Sequence, residues 1–236
     1  MEQLESLREK IDKIDAKILE LLNKRSVIAK SIGKEKKSDN LFRPERQAFI
    51  LKKLFNIKNN QIKPEVILSY WSSLFISQVE IQGGLKLLIP RKINNSYLKN
   101  IYDYFSHNVK IIKYESINNA RKKILHEKNT LLVLPYPGSS IQNNWWSKYQ
   151  FKNTYIVSTL PFLLKSNQKP NLVIISKYRP ELKKDFICFY TSNKIIKSKE
   201  LSIVAKSSNC YLYKTNEVIL KRRIKFIGAM PKHYEI

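Results

Sequence analysis

Residues 4–36 read LESLREKIDKIDAKILELLNKRSVIAKSIGKEK, and apolar side chains recur along this stretch at alternating spacings of three and four. The recurring positions are Leu4, Leu7, Ile11, Ile14, Ile18, Leu21, Ile28 and Ile32. This period predicts one long amphipathic helix, from about Glu2 to Lys37, with a single apolar stripe. Arg25 occupies the slot of the stripe between Leu21 and Ile28. Because a guanidinium in a packed seam costs free energy unless an anion meets it, Arg25 indicates an anion-binding site.

Two further helices are predicted to carry polar side chains toward Arg25. Pro44 and Pro64 stand where proline opens a helix, which predicts a second helix from Pro44 through Ile57 and a third that ends at Gly83–Gly84. The polar residues expected to face inward on the three helices are Arg25, Lys36, Arg46, Gln47, Gln78 and Gln82. Buried polar groups need partners, and this set holds several cations with very few inward carboxylates. We therefore expect the ligand to be a small, doubly negative molecule.

The length of the first helix predicts that two copies of the chain associate. Arg25 and Lys36 are eleven residues apart, which puts them near the same azimuth and about 16 Å apart along the axis. Arg8 lies about 26 Å from Arg25 on the same scale, so it cannot reach the same pocket within one subunit. We expect an interlocked homodimer in which Arg8 serves the pocket of the partner subunit.

The sequence changes character after Gly83–Gly84, which are two of only five glycines in the chain. We expect a helical domain over residues 1–84 and an α/β domain over residues 85–236. Strands predicted at 85–90, 109–114 and 130–135, with helical patterns at 96–107 and 117–128 between them, favour a parallel sheet. Further strand-like runs are Thr154–Thr159, Leu172–Ser176, Phe186–Tyr190, Leu201–Ala205 and Val218–Leu220.

Charge is unevenly distributed along the 236 residues, whose formal net charge is +25. Residues 1–82 hold 16 Lys/Arg against 11 Asp/Glu, whereas residues 83–236 hold 28 against 8. A field of that size attracts nucleic acid or anionic metabolites, and compositional drift in a Lys-, Asn- and Ile-rich chain is the alternative explanation. The longest apolar runs are too short to cross a bilayer, and Met1–Lys10 lacks the apolar stretch of a secretory signal. We expect a cytoplasmic protein without a membrane partner.

Residues 4–82 resemble the all-α chorismate mutases of the small dimeric class, in which three helices per subunit build two active sites across an intertwined dimer. The matching pieces are Leu7-Arg8-Glu9-Lys10-Ile11, Ile14-Asp15, Leu21-Leu22 before Arg25, Gly33-Lys34-Glu35-Lys36, Pro44-Glu45-Arg46 and Gln82. The resemblance implies conversion of chorismate to prephenate, a step of aromatic amino acid biosynthesis. It implies no cofactor and no metal.

The family's roles transfer to this chain residue by residue. Arg25 and the partner's Arg8 would bind the two substrate carboxylates, and Lys36 and Gln82 would meet the ether oxygen. Arg46 would help to order the pocket. Three positions depart from the family: Gln47 replaces a glutamate near the ring hydroxyl, Arg43 an aspartate and Gln78 a serine. We expect Arg43 to turn into solvent, leaving Asp39 or Glu45 to assist.

The α/β part is less informative than the helical part. Leu172–Ile175 followed by Asp185–Cys188 resembles a stretch of the prephenate dehydratases, but Lys169-Pro170-Asn171 stands where that family has its catalytic Thr-Arg-Phe. We therefore interpret residues 85–236 as an accessory domain without dehydratase activity, either a degenerate relative of the dehydratases or an unrelated α/β domain. A bifunctional mutase–dehydratase is the first alternative.

The second alternative is a nucleic-acid-binding protein on a non-catalytic mutase scaffold. Its support is the charge of the second half, Trp145-Trp146 and the basic run Lys221-Arg222-Arg223. No aromatic RNA-binding signature or clear recognition helix accompanies these features. We expect the tryptophan pair to anchor a short helix to the sheet instead.

Removal of one positive group should slow the reaction without abolishing folding. We predict that Arg25→Ala or Lys36→Ala raises the barrier to chorismate rearrangement by about 3–4 kcal/mol, by analogy with the loss of one oxyanion donor. The measurement is the rate of loss of chorismate absorbance with purified protein. Turnover at the wild-type rate by either variant would contradict the assigned roles.

Overall fold

The three predicted helices are present. The structure, a computed structural model, describes residues 2–35, 40–182, 185–220 and 223–236. Helix α1 spans Glu2–Glu35, α2 spans Pro44–Phe55 and α3 spans Pro64–Ile81, with proline opening both shorter helices. Gly83 and Gly84 have φ of 116° and 75°, and Gly84 N–H donates to Val79 O at 3.0 Å. Two successive positive φ angles favour glycine and turn the chain sharply into the sheet.

A nine-stranded mixed sheet forms the centre of residues 85–236. Its strands are β1 (Lys86–Pro90), β2 (Lys110–Tyr114), β3 (Thr130–Pro135), β4 (Tyr155–Leu160), β6 (Leu172–Ser176), β7 (Phe186–Ser192), β8 (Ser202–Ser207), β9 (Cys210–Thr215) and β10 (Lys225–Pro231). The order is β2-β1-β3-β6-β4-β10-β7-β9-β8, and the short strands β5 (Leu163–Leu164) and β11 (Tyr234–Glu235) pair separately. Helix α4 (Asn95–Phe105) connects β1 to β2, and α5 (Ile117–His126) connects β2 to β3.

The α/β class is confirmed, but the parallel arrangement holds for part of the sheet alone. The pairs β1–β2 and β1–β3 are parallel, as the β-α-β-α-β pattern predicts, and β4–β10 is parallel at one residue pair. The other described ladders of this sheet are antiparallel. Strands β9 and β10 were not predicted. The strand predicted at Val218–Leu220 is wrong, because Ile219 N–H donates to the Tyr190 hydroxyl at 2.9 Å and not to a neighbouring strand.

Helices cover both faces of the sheet. On one face, α2, α3 and α4 share a continuous apolar core with the sheet, which includes Leu51, Phe105 and Val157. On the other face, α5 and a short 3₁₀ helix, Asn144–Ser147, cover a second core around Ile124. Trp146 is buried there and donates from Nε1 to Gly138 O at 2.9 Å, while Trp145 donates to Pro135 O. The tryptophan pair is therefore an anchor for the short helix, as expected.

Most of α1 is exposed in the part of the chain that the structure describes. Residues 3–24 are exposed throughout, and the first partly buried side chains are Arg25 and Ser26, where α1 meets α3. Eleven large apolar side chains of α1 are between 38% and 67% exposed: Leu4, Leu7, Ile11, Ile14, Ile18, Leu19, Leu21, Leu22, Val27, Ile28 and Ile32. A contiguous apolar surface of this extent marks an interaction site. Among the described helices, none is long and apolar enough to cross a membrane.

Candidate active site between the three helices

A cavity of about 350 Å³ lies where the C-terminal part of α1 meets α2 and α3. Five of the seven predicted site residues line it: Arg25, Arg46, Gln47, Gln78 and Gln82. Arg43 lines it as well, and apolar side chains such as Ile28, Ile50 and Phe75 complete the wall. Of the described lining residues, none is Asp or Glu. The volume is at the low end for ligand pockets, so the cavity suits a small anion.

Arg25 is the polar centre of this cavity. Its Nη1 is buried and has no hydrogen-bond partner among the described residues. Its Cζ lies 5.7 Å from the centre of the Phe75 ring, so one face of the guanidinium packs on an aromatic surface. Burial, and then repulsion from Arg46, lower the pKa of Arg25. A buried N–H without a partner, held in a positive field, is a strong site for a carboxylate.

The other two guanidinium groups differ in how they are held. Arg46 is exposed at the rim, with its Cζ 5.4 Å from the centre of the Phe49 ring. Arg43 donates from Nε to Glu45 at 2.9 Å and pairs through Nη2 with Glu181 at 2.5 Å. Burial disfavours the charge of Arg43, but its bonds with Glu45 and Glu181 outweigh burial and raise its pKa. The expectation that Arg43 turns into solvent is therefore wrong, because two carboxylates fix it.

Gln78 and Gln82 link α3 to α1. Gln78 is 7% exposed, and its Nε2 donates to Ser26 Oγ at 2.6 Å. Gln82 donates from Nε2 to Gln78 O at 3.1 Å, which leaves its second N–H for another acceptor. The Gln82 amide lies against Gly33 so closely that a Cβ built there would stand 2.7 Å from its Oε1. Gly33 thus makes room for this amide.

Gln47 is held by the α/β part of the chain. It is 9% exposed, and its Oε1 accepts a hydrogen bond from the Tyr104 hydroxyl of α4 at 3.0 Å. Tyr104 is itself buried, and burial is the main reason that its pKa lies far above the ordinary value for tyrosine. The hydroxyl therefore stays protonated at neutral pH, and its proton is directed at Gln47.

Of the other two predicted site residues, Arg8 does not reach the cavity in this protomer and the position of Lys36 is not described. Arg8 is exposed on α1 and pairs with Glu5 at 3.3 Å, far from Arg25 along one continuous helix. Lys36 lies outside the described residues, as do Asp39 and the first two residues of the basic run 221–223. The roles assigned to the seven residues remain predictions.

Sequence reasoning missed two residues that shape the cavity. Gly33 belongs to the motif quoted for the family resemblance, but its steric role becomes visible when Gln82 is seen against it. Tyr104 lies 57 residues from Gln47, and its place in an amphipathic helix of a different domain gave no signal of this contact. Contacts between distant segments leave no local period in a sequence.

A larger cavity, of about 480 Å³, lies between α2 and the strands β4, β7 and β10. Its wall is mostly apolar, and several of its charged residues are paired: Lys52 with Asp185, and both Glu45 and Glu181 with Arg43. Because these charges are neutralised by their partners, we expect this cavity to attract an anion less strongly than the helical cavity does.

Comparison with known proteins bears on both parts of the chain. Residues 7–83 match the family described as "Chorismate mutase type II". A bifunctional chorismate mutase/prephenate dehydratase of Aquifex aeolicus is 46% identical over 59 residues, which cover 24% of this chain and 16% of that protein. The enzyme of the same description from Neisseria gonorrhoeae is 23% identical over 133 residues, covering 56% of this chain and 37% of that protein.

The second alignment is longer than the helical part, so it extends into the α/β part. The chain nevertheless spans less than two fifths of the length of either relative. Among solved structures, prephenate dehydratase from Streptococcus mutans aligns with 64% of this chain and all of that chain, at 12% identity and a TM-score of 0.39. The three-helix N-terminal region, residues 7–83, is a chorismate mutase type II domain, and a mixed-sheet α/β domain follows it.

Proposed function

We propose that this protein is a chorismate mutase, which rearranges chorismate to prephenate in the helical cavity. The observation that carries the proposal is the orphaned Nη1 of Arg25, buried beside Arg43 and Arg46 in a cavity whose described lining has no carboxylate. Chorismate carries two carboxylates and is small enough for such a cavity. The buried Arg25 guanidinium, without a carboxylate in the described lining, is costly to the empty protein, and a dianion would offset that cost on binding.

Catalysis of this reaction requires that the substrate be held in a reactive conformation and that the charge developing on it be stabilised. The reaction is a unimolecular Claisen rearrangement, in which negative charge grows on the ether oxygen as its C–O bond breaks. Holding the substrate in a compact chair supplies the positional part of the acceleration. A fixed cation and an amide N–H at the ether oxygen supply the electrostatic part. No nucleophile and no proton transfer are required, which agrees with the absence of histidine from residues 1–82.

We assign each site residue a role on that basis. Arg25 and the partner's Arg8 bind the carboxylates, Lys36 and Gln82 meet the ether oxygen, and Arg46 orders the rim. Gln47 contacts the ring hydroxyl. Gln78 braces α1 against α3, because its Nε2 is engaged with Ser26.

We further propose that the enzyme is a homodimer whose two α1 helices pack against each other and against the partner's helices. The support is the exposed apolar stripe of residues 4–32, which has the three-four spacing of knobs-into-holes packing. This stripe runs directly into the cavity at Arg25 and Ile28. A second copy that covers it would bring Arg8 toward the neighbouring cavity.

We also propose a cytoplasmic location. The two free cysteines, Cys188 and Cys210, are compatible with the reducing cytoplasm.

We propose that residues 1–84 form the mutase unit and residues 85–236 an accessory unit without dehydratase activity. The argument for the second half is Lys169-Pro170-Asn171, which has neither the hydroxyl nor the guanidinium of Thr-Arg-Phe. Because α2 and α3 share their core with the sheet, the full chain is the right material for experiments.

The first test is the reaction itself. Purified full-length protein should consume chorismate and accumulate prephenate, with no phenylpyruvate. The loss of chorismate is followed by its absorbance, and phenylpyruvate is assayed separately. Phenylpyruvate formation would establish the bifunctional alternative, and no loss of chorismate would refute the proposal. Salt-dependent binding of oligonucleotides by an inactive protein would favour the nucleic-acid alternative.

Complementation between two inactive variants tests the shared site. Arg8→Ala and Arg25→Ala protein, unfolded together and refolded, should form mixed dimers with one intact cavity, and we predict about a quarter of wild-type activity for an equal mixture. Each variant refolded alone is the control. Active wild-type protein whose variants show no recovery when mixed would refute the dimeric site and leave the mutase activity standing.

A single methyl group tests the role of Gln82. We predict that Gly33→Ala lowers chorismate turnover about 10²-fold, because the new Cβ displaces the Gln82 amide. The fold should tolerate it, since alanine suits a helix interior better than glycine by about 1 kcal/mol. Thermal unfolding supplies this control. In a Gln82→Ala background the same substitution should have no further effect on turnover, and an additive loss would argue against this role.

A further inference from the structure

We infer that Tyr104 of the α/β domain is a positioning residue for Gln47, and that it makes this point of the cavity a hydrogen-bond donor toward the substrate's ring hydroxyl. The inference rests on the proposed function, because it names how that cavity recognises one group of chorismate. It gives the accessory domain a part in the specificity of the helical domain.

The contact is direct and buried. The Tyr104 hydroxyl lies 3.0 Å from Gln47 Oε1, with Tyr104 5% and Gln47 9% exposed. The Tyr104 ring is fixed by its neighbours, since its centre lies 6.5 Å from the Phe42 ring and 6.1 Å from the Phe162 ring. Phe42 lies two residues before the start of α2, and Phe162 lies two residues after the end of β4. The hydroxyl is therefore presented to α2 from a rigid aromatic cluster.

The direction of the hydrogen bond determines what Gln47 offers. A neutral tyrosine has one proton to donate, and the Tyr104 hydroxyl donates it to Oε1 while its oxygen accepts from the Ser158 hydroxyl. The acceptor end of the amide is thus occupied on the side of the α/β domain. Gln47 also lines the cavity, so Nε2 is the end that remains for a ligand. An N–H in this place binds an oxygen that accepts, such as that of a ring hydroxyl.

A carboxylate in the same place would act in the opposite sense. Both oxygens of a glutamate accept, so one would bind Tyr104 and the other would need a donor from the substrate. The pairing of Gln47 with Tyr104 therefore sets the polarity of hydroxyl recognition. Because Gln47 is uncharged, it leaves the positive field of Arg25 and Arg46 intact for the carboxylates.

The test removes the hydroxyl of Tyr104 and, as a control, the hydroxyl of a second tyrosine on the same helix. Tyr104→Phe should raise the KM for chorismate about tenfold and leave kcat within about twofold, because a ground-state contact is loosened and the ether-oxygen groups are untouched. Tyr102→Phe is the matched control, since it removes a hydroxyl from the same helix at a half-buried position where the ring stacks on His107. Its KM should equal that of the wild type.

Two further measurements separate positioning from a general loss of structure. In a Gln47→Ala background, Tyr104→Phe should change KM no further. A chorismate analogue that lacks the ring hydroxyl should be turned over equally by Tyr104→Phe and wild-type protein. Gln47→Glu, which keeps the bond to Tyr104 but removes the N–H, should lose at least as much in kcat/KM as Tyr104→Phe.

The possible outcomes distinguish the two proposals. If wild-type protein consumes chorismate but Tyr104→Phe has an unchanged KM, or Gln47→Glu is as active as the wild type, the positioning role is wrong and the mutase proposal stands. If wild-type protein does not consume chorismate, both are wrong.

Discussion

An unneutralised guanidinium in an apolar seam is the constraint around which the helical domain is organised. Arg25 sits where α1 first meets α3, with one buried N–H that has no partner among the described residues and an aromatic ring beside it. No carboxylate from the described residues enters the cavity to relieve it. Such an arrangement costs stability in the empty protein, and binding of a dianion would offset the cost. This is the physical basis of the proposed preference for a dianion.

The same apolar stripe also runs along the part of α1 that the rest of the protomer leaves uncovered. Residues 3–24 of α1 are exposed, although their apolar residues repeat with the regularity of a packed interface. Burial of a large apolar surface against a second copy would stabilise both the helix and the cavity. The distance of Arg8 from Arg25 along one straight helix then becomes intelligible, because each arginine serves a different cavity. This interpretation belongs with the proposed dimer.

The α/β domain takes part in holding the helical one. Arg43, which lines the cavity, pairs with Glu181, and Lys52 on the far side of α2 pairs with Asp185. Tyr104 reaches Gln47 from α4. These contacts tie α2 and the residue before it to the α/β domain, beside the apolar core that the helices share with the sheet. The α/β domain thus contacts side chains that line the helical cavity and helps to fix their positions.

The three helices and most of the cavity lining follow from local sequence patterns. Proline positions and a three-four apolar period fix where a helix begins and which azimuth each side chain takes, so Arg25, Arg46, Gln47, Gln78 and Gln82 could be grouped in advance. Tertiary structure alone decided the insertion of β10 between β4 and β7, the fixed pairing of Arg43, the space that Gly33 leaves for Gln82, and the Tyr104–Gln47 contact. Each of these depends on complementary surfaces of segments far apart in the chain, and local periodicity carries no information about which distant surfaces will meet.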